Sequence, residues 1–263
     1  YVGDFLKHEL PDTVIGEDIS CPNFFPIGNK WMLLCISHSF GCRYYLGDWD
    51  AAAEQFVPES HARMNWRRPD QSLFDTVYRD FFAPETVLTP DGRRVMWAWL
   101  WTLHEDLEQK SIQSLPRELS LSDNGSLLIR PLRELESLRN DPLTLNNLSI
   151  LVPEPGHSGR AIKHIIDLNE DSFELKITID RLELNRKRFS VLLFANEKHE
   201  GLPIMVRPET STILLGNIEA PFAVSDLPED EDLELRIFID KYLIEVFVNE
   251  RQALLTAYMD YQI

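Results

Sequence analysis

Short apolar runs with a two-residue period recur along the whole chain, and a turn signal closes each of them. Successive side chains of a strand point to opposite faces, so runs of this kind specify strands with one buried side. NFFPI (23–27) leads through Gly28-Asn29 to KWMLLCISH (30–38), and Ser39-Phe40-Gly41 leads on to CRYYLGDW (42–49). FFAPETVL (81–88) turns through Thr89-Pro90-Asp91-Gly92 into RRVMWAWLW (93–101), where Pro90 fixes one φ and Gly92 frees another. PRELSLS (116–122) and SLLIRPL (126–132) flank Asp123-Asn124-Gly125, a hairpin sequence.

Helical spacing shows in one place. Leu132, Leu135 and Leu138, with charges between them, read as a short connecting helix within 130–141. Beyond it, residues 161–168, 172–180, 188–196, 233–240, 242–249 and 253–259 alternate apolar and polar as half-buried strands of a sandwich do. The chain therefore reads as all-β. A portion with propeller, barrel or sandwich character spans 1–141, and a β-sandwich spans 142–263. The acidic run at 228–234 reads as a solvated loop.

Composition narrows the function classes. The net charge of −17 repels nucleic acid and anionic lipid, so a neutral partner suits this surface better than a polyanion. No apolar run reaches the roughly 18 residues of a membrane span. Three cysteines, an odd number, give no disulfide framework; Cys35 and Cys42 flank a tight turn and read as free thiols. No histidine pair has metal-ligand spacing and no glycine-rich phosphate loop is present, so the sequence calls for no cofactor. Position 1 is Tyr rather than Met, which reads as a piece of a longer chain and leaves the compartment open.

Several motifs, in one order, carry a resemblance. They are Cys21-Pro22-Asn23-Phe24-Phe25, then Arg79-Asp80 with Phe82-Ala83-Pro84-Glu85-Thr86 and Asp91-Gly92-Arg93-Arg94, then Ser114-Leu115-Pro116-Arg117-Glu118-Leu119, residues 128–139 and residues 232–249. Together they resemble glycoside hydrolase family 32, the β-fructosidases: invertases, inulinases and levanases. The resemblance implies a five-bladed β-propeller followed by a β-sandwich, with an active-site funnel on the propeller axis. It implies hydrolysis of β-fructofuranosyl linkages in sucrose or a fructan with retention of configuration. In that pattern retention uses two carboxyl groups about 5–5.5 Å apart, one attacking and one donating a proton.

The chain departs from the family pattern twice. The motifs of the attacking and the stabilising carboxylate are absent, and Tyr1-Val2-Gly3-Asp4-Phe5-Leu6 resembles the end of a second blade. The expectation is an N-terminally truncated propeller that does not catalyse by itself. The family's acid is a Glu directly before Cys-Pro, and that place holds Ser20. Glu17 is then the first candidate for the acid and Asp18 the second. On an extended segment Asp18 shares a face with Ser20.

Ser20, Cys21, Asp80, Glu85 and Trp99 are candidate sugar contacts. Glu85 stands where many relatives carry Gln, and a carboxylate there would raise a neighbouring acid's pKa. Trp97, Trp99 and Trp101 share one face of a strand, where they either stack on sugar or pack between blades. His38, Arg43 and Tyr45 suit sugar contact and sheet packing equally. Two other readings stand beside the hydrolase: a non-catalytic carbohydrate-binding protein on the same scaffold, and a related propeller glycosidase for another furanoside. The expected partner is an oligo- or polysaccharide, with neither nucleic acid nor membrane. Open blade edges would favour a homo-oligomer.

Overall fold

The computed structural model describes residues 3–10, 18–38, 41–66, 78–102, 111–151, 161–168, 170–184, 187–241 and 243–256, with backbone alone for 78–80, 101 and 102. Its first sheet is an antiparallel meander in the order β1 (Ser20–Ile27), β2 (Lys30–Ser37), β3 (Gly41–Asp50), β4 (Gln55–Arg63). The second runs β5 (Tyr78–Leu88), β6 (Arg94–Thr102), with β7 (Ser111–Gln113) and β8 (Arg117–Leu121) both pairing β6, and β9 (Leu127–Pro131) at the edge. Four-stranded meanders of this form are the blades of propellers. The turns that join the hairpins fall where the sequence places them, at Gly28-Asn29, Pro90-Asp91-Gly92 and Asp123-Asn124-Gly125.

The connecting helix over 130–141 is a 3₁₀ helix, Arg133–Leu138, with no buried residue. Leu132, Leu135 and Leu138 repeat strictly every third residue, which matches 3.0 residues per turn and drifts on an α-helix. Leu138 is 72% exposed, so this stripe is not a core face.

The remaining strands are β10 (Ser172–Ile179), β11 (Phe189–Leu193), β12 (Leu202–Arg207), β13 (Thr212–Leu215), β14 (Ile218–Pro221), β15 (Leu233–Asp240), β16 (Leu243–Val248) and β17 (Gln252–Thr256). They form two four-stranded sheets, β10-β15-β16-β17 and β11-β12-β13-β14. Ile204, Val206, Ile213 and Leu215 from one sheet pack with Leu235, Ile237, Ile244 and Val246 from the other. That is a sandwich core. Residues 161–168, read above as a strand, carry no regular structure, and Ile162, Ile165, Ile166 and Leu168 are exposed. Alternation alone does not make a strand where no neighbour supplies a ladder.

β2 and β16 carry the packing because each is buried on both faces. Met32, Leu34 and Ile36 enter the main core, while Leu33 and Cys35 enter a second cluster with Tyr45 and Phe56. On β16, Ile244, Val246 and Val248 face the sandwich core; Leu243 and Phe247 face the propeller sheets. The sandwich is thus built into the wall of the first two sheets. Cys35 and Cys42 are buried free thiols, and Cys21 is an exposed one.

An ion network ties the connector to the second sheet. Glu118 accepts from Arg133 Nε (3.1 Å), Nη2 (3.0 Å) and backbone N (3.0 Å), and from Arg93 Nη1 (3.1 Å). Burial pushes the Glu118 carboxyl up, but the Arg133 guanidinium, the Arg133 amide and the Arg93 guanidinium outweigh it and hold the carboxyl below its usual range. The unfolded chain therefore binds the proton first as pH falls. Glu118's contribution is complete above its unfolded value of about 4.3 and is lost as pH drops through the depressed folded value. Urea midpoints measured down through about pH 4 should fall less steeply in Glu118→Gln than in the wild type.

Candidate active site

Two irregular strands meet where the sequence places the sugar chemistry. In β1 the register slips between Ser20 and Asn23, with Cys21 at φ +49°. In β5 it slips between Arg79 and Phe82 and again between Phe82 and Glu85, with Ala83 at φ +42°. Each bulge re-aims its neighbours and strengthens local twist. Asn23 locks the two together. Its Nδ2 donates to the Pro84 carbonyl (3.1 Å), and its Oδ1 accepts from the Thr86 backbone N (3.0 Å) and Thr86 Oγ1 (3.1 Å). The CPNFF motif and the FAPET motif thus form one joint, and Asn23, which sequence reasoning did not single out, makes it.

Asp18 sits at the mouth of β1. It accepts from Ser20 Oγ (3.0 Å), from the His38 backbone N (2.9 Å) and from His38 Nδ1 (2.6 Å). Asp18 and Ser20 share a face, as the two-residue period requires. Partial burial pushes the Asp18 carboxyl up, but the His38 side chain, the His38 amide and Ser20 more than offset this, and it lies below the usual carboxylate range. A proton donor needs the opposite shift. Glu17 lies outside the described residues.

Ser20 is half-buried, with its hydroxyl committed to Asp18, and Cys21 is exposed. Glu85 is exposed on β5, between the Pro84 and Thr86 contacts made by Asn23. Asp80 belongs to β5 by its backbone, and its side chain lies outside the described residues. Trp97 and Trp99 do share a face, since Ala98 between them and Leu100 after them are buried; the Trp101 side chain lies outside the description. Trp99 is 37% exposed, donates Nε1 to Ser111 Oγ (2.5 Å) and meets Phe82 edge-on at 6.4 Å. Phe82 in turn meets His38 edge-on at 5.7 Å. The structure thereby groups Asp18, Ser20, His38, Phe82 and Trp99. Arg43 and Tyr45 belong to the sheet: both are buried, and Tyr45 stacks on His61 at 5.4 Å.

Among the described residues no group of three or more His, Cys, Asp or Glu side chains could hold a metal ion. No described helix is long and apolar enough to cross a membrane.

Comparison with known proteins places the whole chain. The profile of the Glycosyl hydrolases family 32 N-terminal domain matches residues 2–131, and that of the Glycosyl hydrolases family 32 C terminal matches residues 134–259. The chain belongs to glycosyl hydrolase family 32. It is similar to the raffinose invertase of Escherichia coli, 26% identical over 96% of this chain and 52% of the relative. Its fold is that of the sucrose-6-phosphate hydrolase of Lactobacillus gasseri (TM-score 0.64, 19% identity, 93% of this chain and 51% of that one). A fructan 1-exohydrolase IIa variant from Cichorium intybus, in complex with 1-kestose, gives a TM-score of 0.65 at 17% identity, covering 92% of this chain and 56% of that one. The chain spans about half the length of the curated relatives it matches. Its fold is accordingly part of a β-propeller followed by a β-sandwich, as the motif order implies.

Proposed function

We propose that this family 32 chain supplies one side of the site of a retaining β-fructofuranosidase-type hydrolase acting on sucrose or a neutral fructan. One observation carries the reading: both family profiles match in order and leave almost none of the chain over. The bulged joint at Asn23 supports it, because it brings the CPNFF and FAPET motifs onto one surface beside the exposed Trp99. Aromatic faces and short polar side chains are the usual lining of a saccharide site.

In the proposed reaction a carboxylate attacks the anomeric carbon and a second group protonates the leaving oxygen. The attacking carboxylate has no motif within residues 1–263, so these residues alone should not turn over substrate. The donor belongs at the mouth of β1. Glu17 is the first candidate there from sequence. The three hydrogen bonds on Asp18 argue for a permanently charged group and against Asp18 as the donor. Glu85, Asp80, Cys21 and Ser20 are proposed to border the sugar. Relatives are named for raffinose and for sucrose-6-phosphate. The net charge of −17 favours the unphosphorylated sugar here. The edges at β10 and β11, which carry no further strand among the described residues, would let copies of the chain associate.

A second reading, a sugar-binding protein without turnover, is favoured by Ser20 standing in the acid's place with its proton given to Asp18. The test is fructose release by the intact polypeptide that carries these residues, on sucrose, raffinose, 1-kestose, inulin, sucrose-6-phosphate and an arabinofuranoside. Release from the neutral fructosides, with sucrose-6-phosphate slower, is expected. Saturable sugar binding without release would establish the second reading, and release from the arabinofuranoside alone would move the activity to another furanoside.

A further inference from the structure

The Asp18, Ser20 and His38 cluster is not explained by packing, since the His38 and Asp18 side chains are 50% and 41% exposed. It is created by the bulge in β1. Below the bulge Asn23 pairs with Leu34, and above it Ser20 pairs with Ile36. Continuing that shifted register by two residues sets Asp18 opposite His38. The contacts follow: Asp18 Oδ1 takes the His38 amide and Oδ2 takes Nδ1 at 2.6 Å.

An ionised carboxylate only accepts hydrogen bonds, so Nδ1 of His38 must carry the proton. That fixes the ring's tautomer and leaves Nε2 as its exchanging atom. The Ser20 proton is already committed to Asp18 (3.0 Å). Among the described residues the charged group against the imidazole is Asp18, and the other neighbour is the Phe82 ring, which continues to Trp99. Phe82 is buried in the main core, so the aromatic surface open to a sugar is Trp99, two ring contacts from the carboxylate-held imidazole.

We propose that His38, oriented by Asp18, is the proton-transfer group of this site, with Nε2 in the role first assigned to Glu17. This rests on the β-fructofuranosidase reading. In the first step the attacking carboxylate bonds to the anomeric carbon and the carbon–oxygen bond to the leaving sugar breaks. The bond's electron pair stays on that oxygen, which takes the Nε2 proton, and imidazolium becomes imidazole. In the second step Nε2 takes a proton from water as the water oxygen bonds to the anomeric carbon and the carboxylate leaves. Asp18 keeps its charge throughout and acts as a positioning residue.

The test compares wild type, His38→Gln, His38→Ala, Asp18→Asn and Glu17→Gln in the intact polypeptide, on sucrose and on β-fructofuranosyl fluoride. Fluoride leaves with little help from a proton. His38→Gln should lower sucrose turnover by about 10²–10⁴-fold, the usual worth of general acid catalysis, and largely spare the fluoride. Added imidazole should partly restore His38→Ala. Nitrogen-15 spectra of residues 1–263 should show the neutral His38 ring protonated at Nδ1 in the wild type and not in Asp18→Asn. Equal losses on both substrates, an unchanged His38→Gln, or the leaving-group pattern in Glu17→Gln instead would overturn the proposal. A wild type inert on both substrates removes the hydrolase reading itself, and the proton-transfer role with it.

Discussion

Replacing Arg117 with Met should cost the fold about 3–5 kcal/mol, the usual consequence of leaving a buried charge without its partner. Arg117 and Glu245 are 0% and 1% exposed, and they join the two halves of the molecule. Arg117 Nη2 donates to Glu245 Oε2 (2.9 Å) and Nη1 to the Met64 carbonyl (3.2 Å), while the Leu115 amide donates to Glu245 Oε1 (2.6 Å). The guanidinium also lies over the Phe81 and Phe247 rings at 4.3 and 5.3 Å. Burial pushes the Glu245 carboxyl up, against the pull of Arg117 and of the Leu115 amide. Without Arg117 that pull is lost, and Glu245 either ionises unpaired or holds a proton. The paired replacement Arg117→Met/Glu245→Met should recover most of the loss, since apolar residues of similar volume often replace a buried pair at little cost. Equilibrium denaturation should show one transition for the propeller sheets and sandwich together. A loss below about 1 kcal/mol, the range of exposed pairs, would mean that the pair does not hold the interface.

Gly47→Ala should be the most damaging methyl group in the first sheet. A Cβ at Gly47 would lie 2.0 Å from the Val57 carbonyl oxygen and 2.8 Å from the Pro58 Cα. Both are backbone atoms of β4, so no side chain can swing aside. Gly47 pairs with Pro58 where the β3–β4 register slips, and the close approach belongs to that irregularity. Separating the strands should cost about 3 kcal/mol, at the upper end of ordinary overpacking. It should also loosen Phe56, which holds the Phe5 and Lys7 backbone on the far side of β4. A denaturation midpoint within error of the wild type would contradict that packing.

What the sequence disclosed and what it withheld follow from the same physics. Turn residues mark the hairpins because Gly and Pro restrict φ locally, and a local signal survives in a single chain. Period-two runs disclosed the sandwich strands β10 and β15, and disclosed β16 as a strand although both of its faces are buried rather than one, but the short β12, β13 and β14 were passed over because each alternates for only four to six residues. The run at 161–168 alternates as clearly and forms no strand, since pairing depends on a neighbour the letters do not name. The family motifs named Ser20, Cys21 and Glu85. They did not reveal the contact between Asp18 and His38. An unbroken hairpin from the Gly28-Asn29 turn sets Asp18 opposite residue 39, and the bulge at Cys21 shifts it by one. The positive φ of a cysteine leaves no trace in sequence. Asn23 was equally hidden, because its partners Pro84 and Thr86 lie more than sixty residues away.

The most direct test of a retaining fructosyl site is stereochemical. Sucrose would be turned over by the intact polypeptide in water containing methanol, and the first-formed methyl fructofuranoside read by proton NMR before it is itself hydrolysed. The β anomer is expected, because attack by a carboxylate followed by attack by the alcohol inverts the centre twice. An α product would require a single displacement, and saturable sucrose binding with no transfer would leave a binding protein; either result contradicts the retaining mechanism.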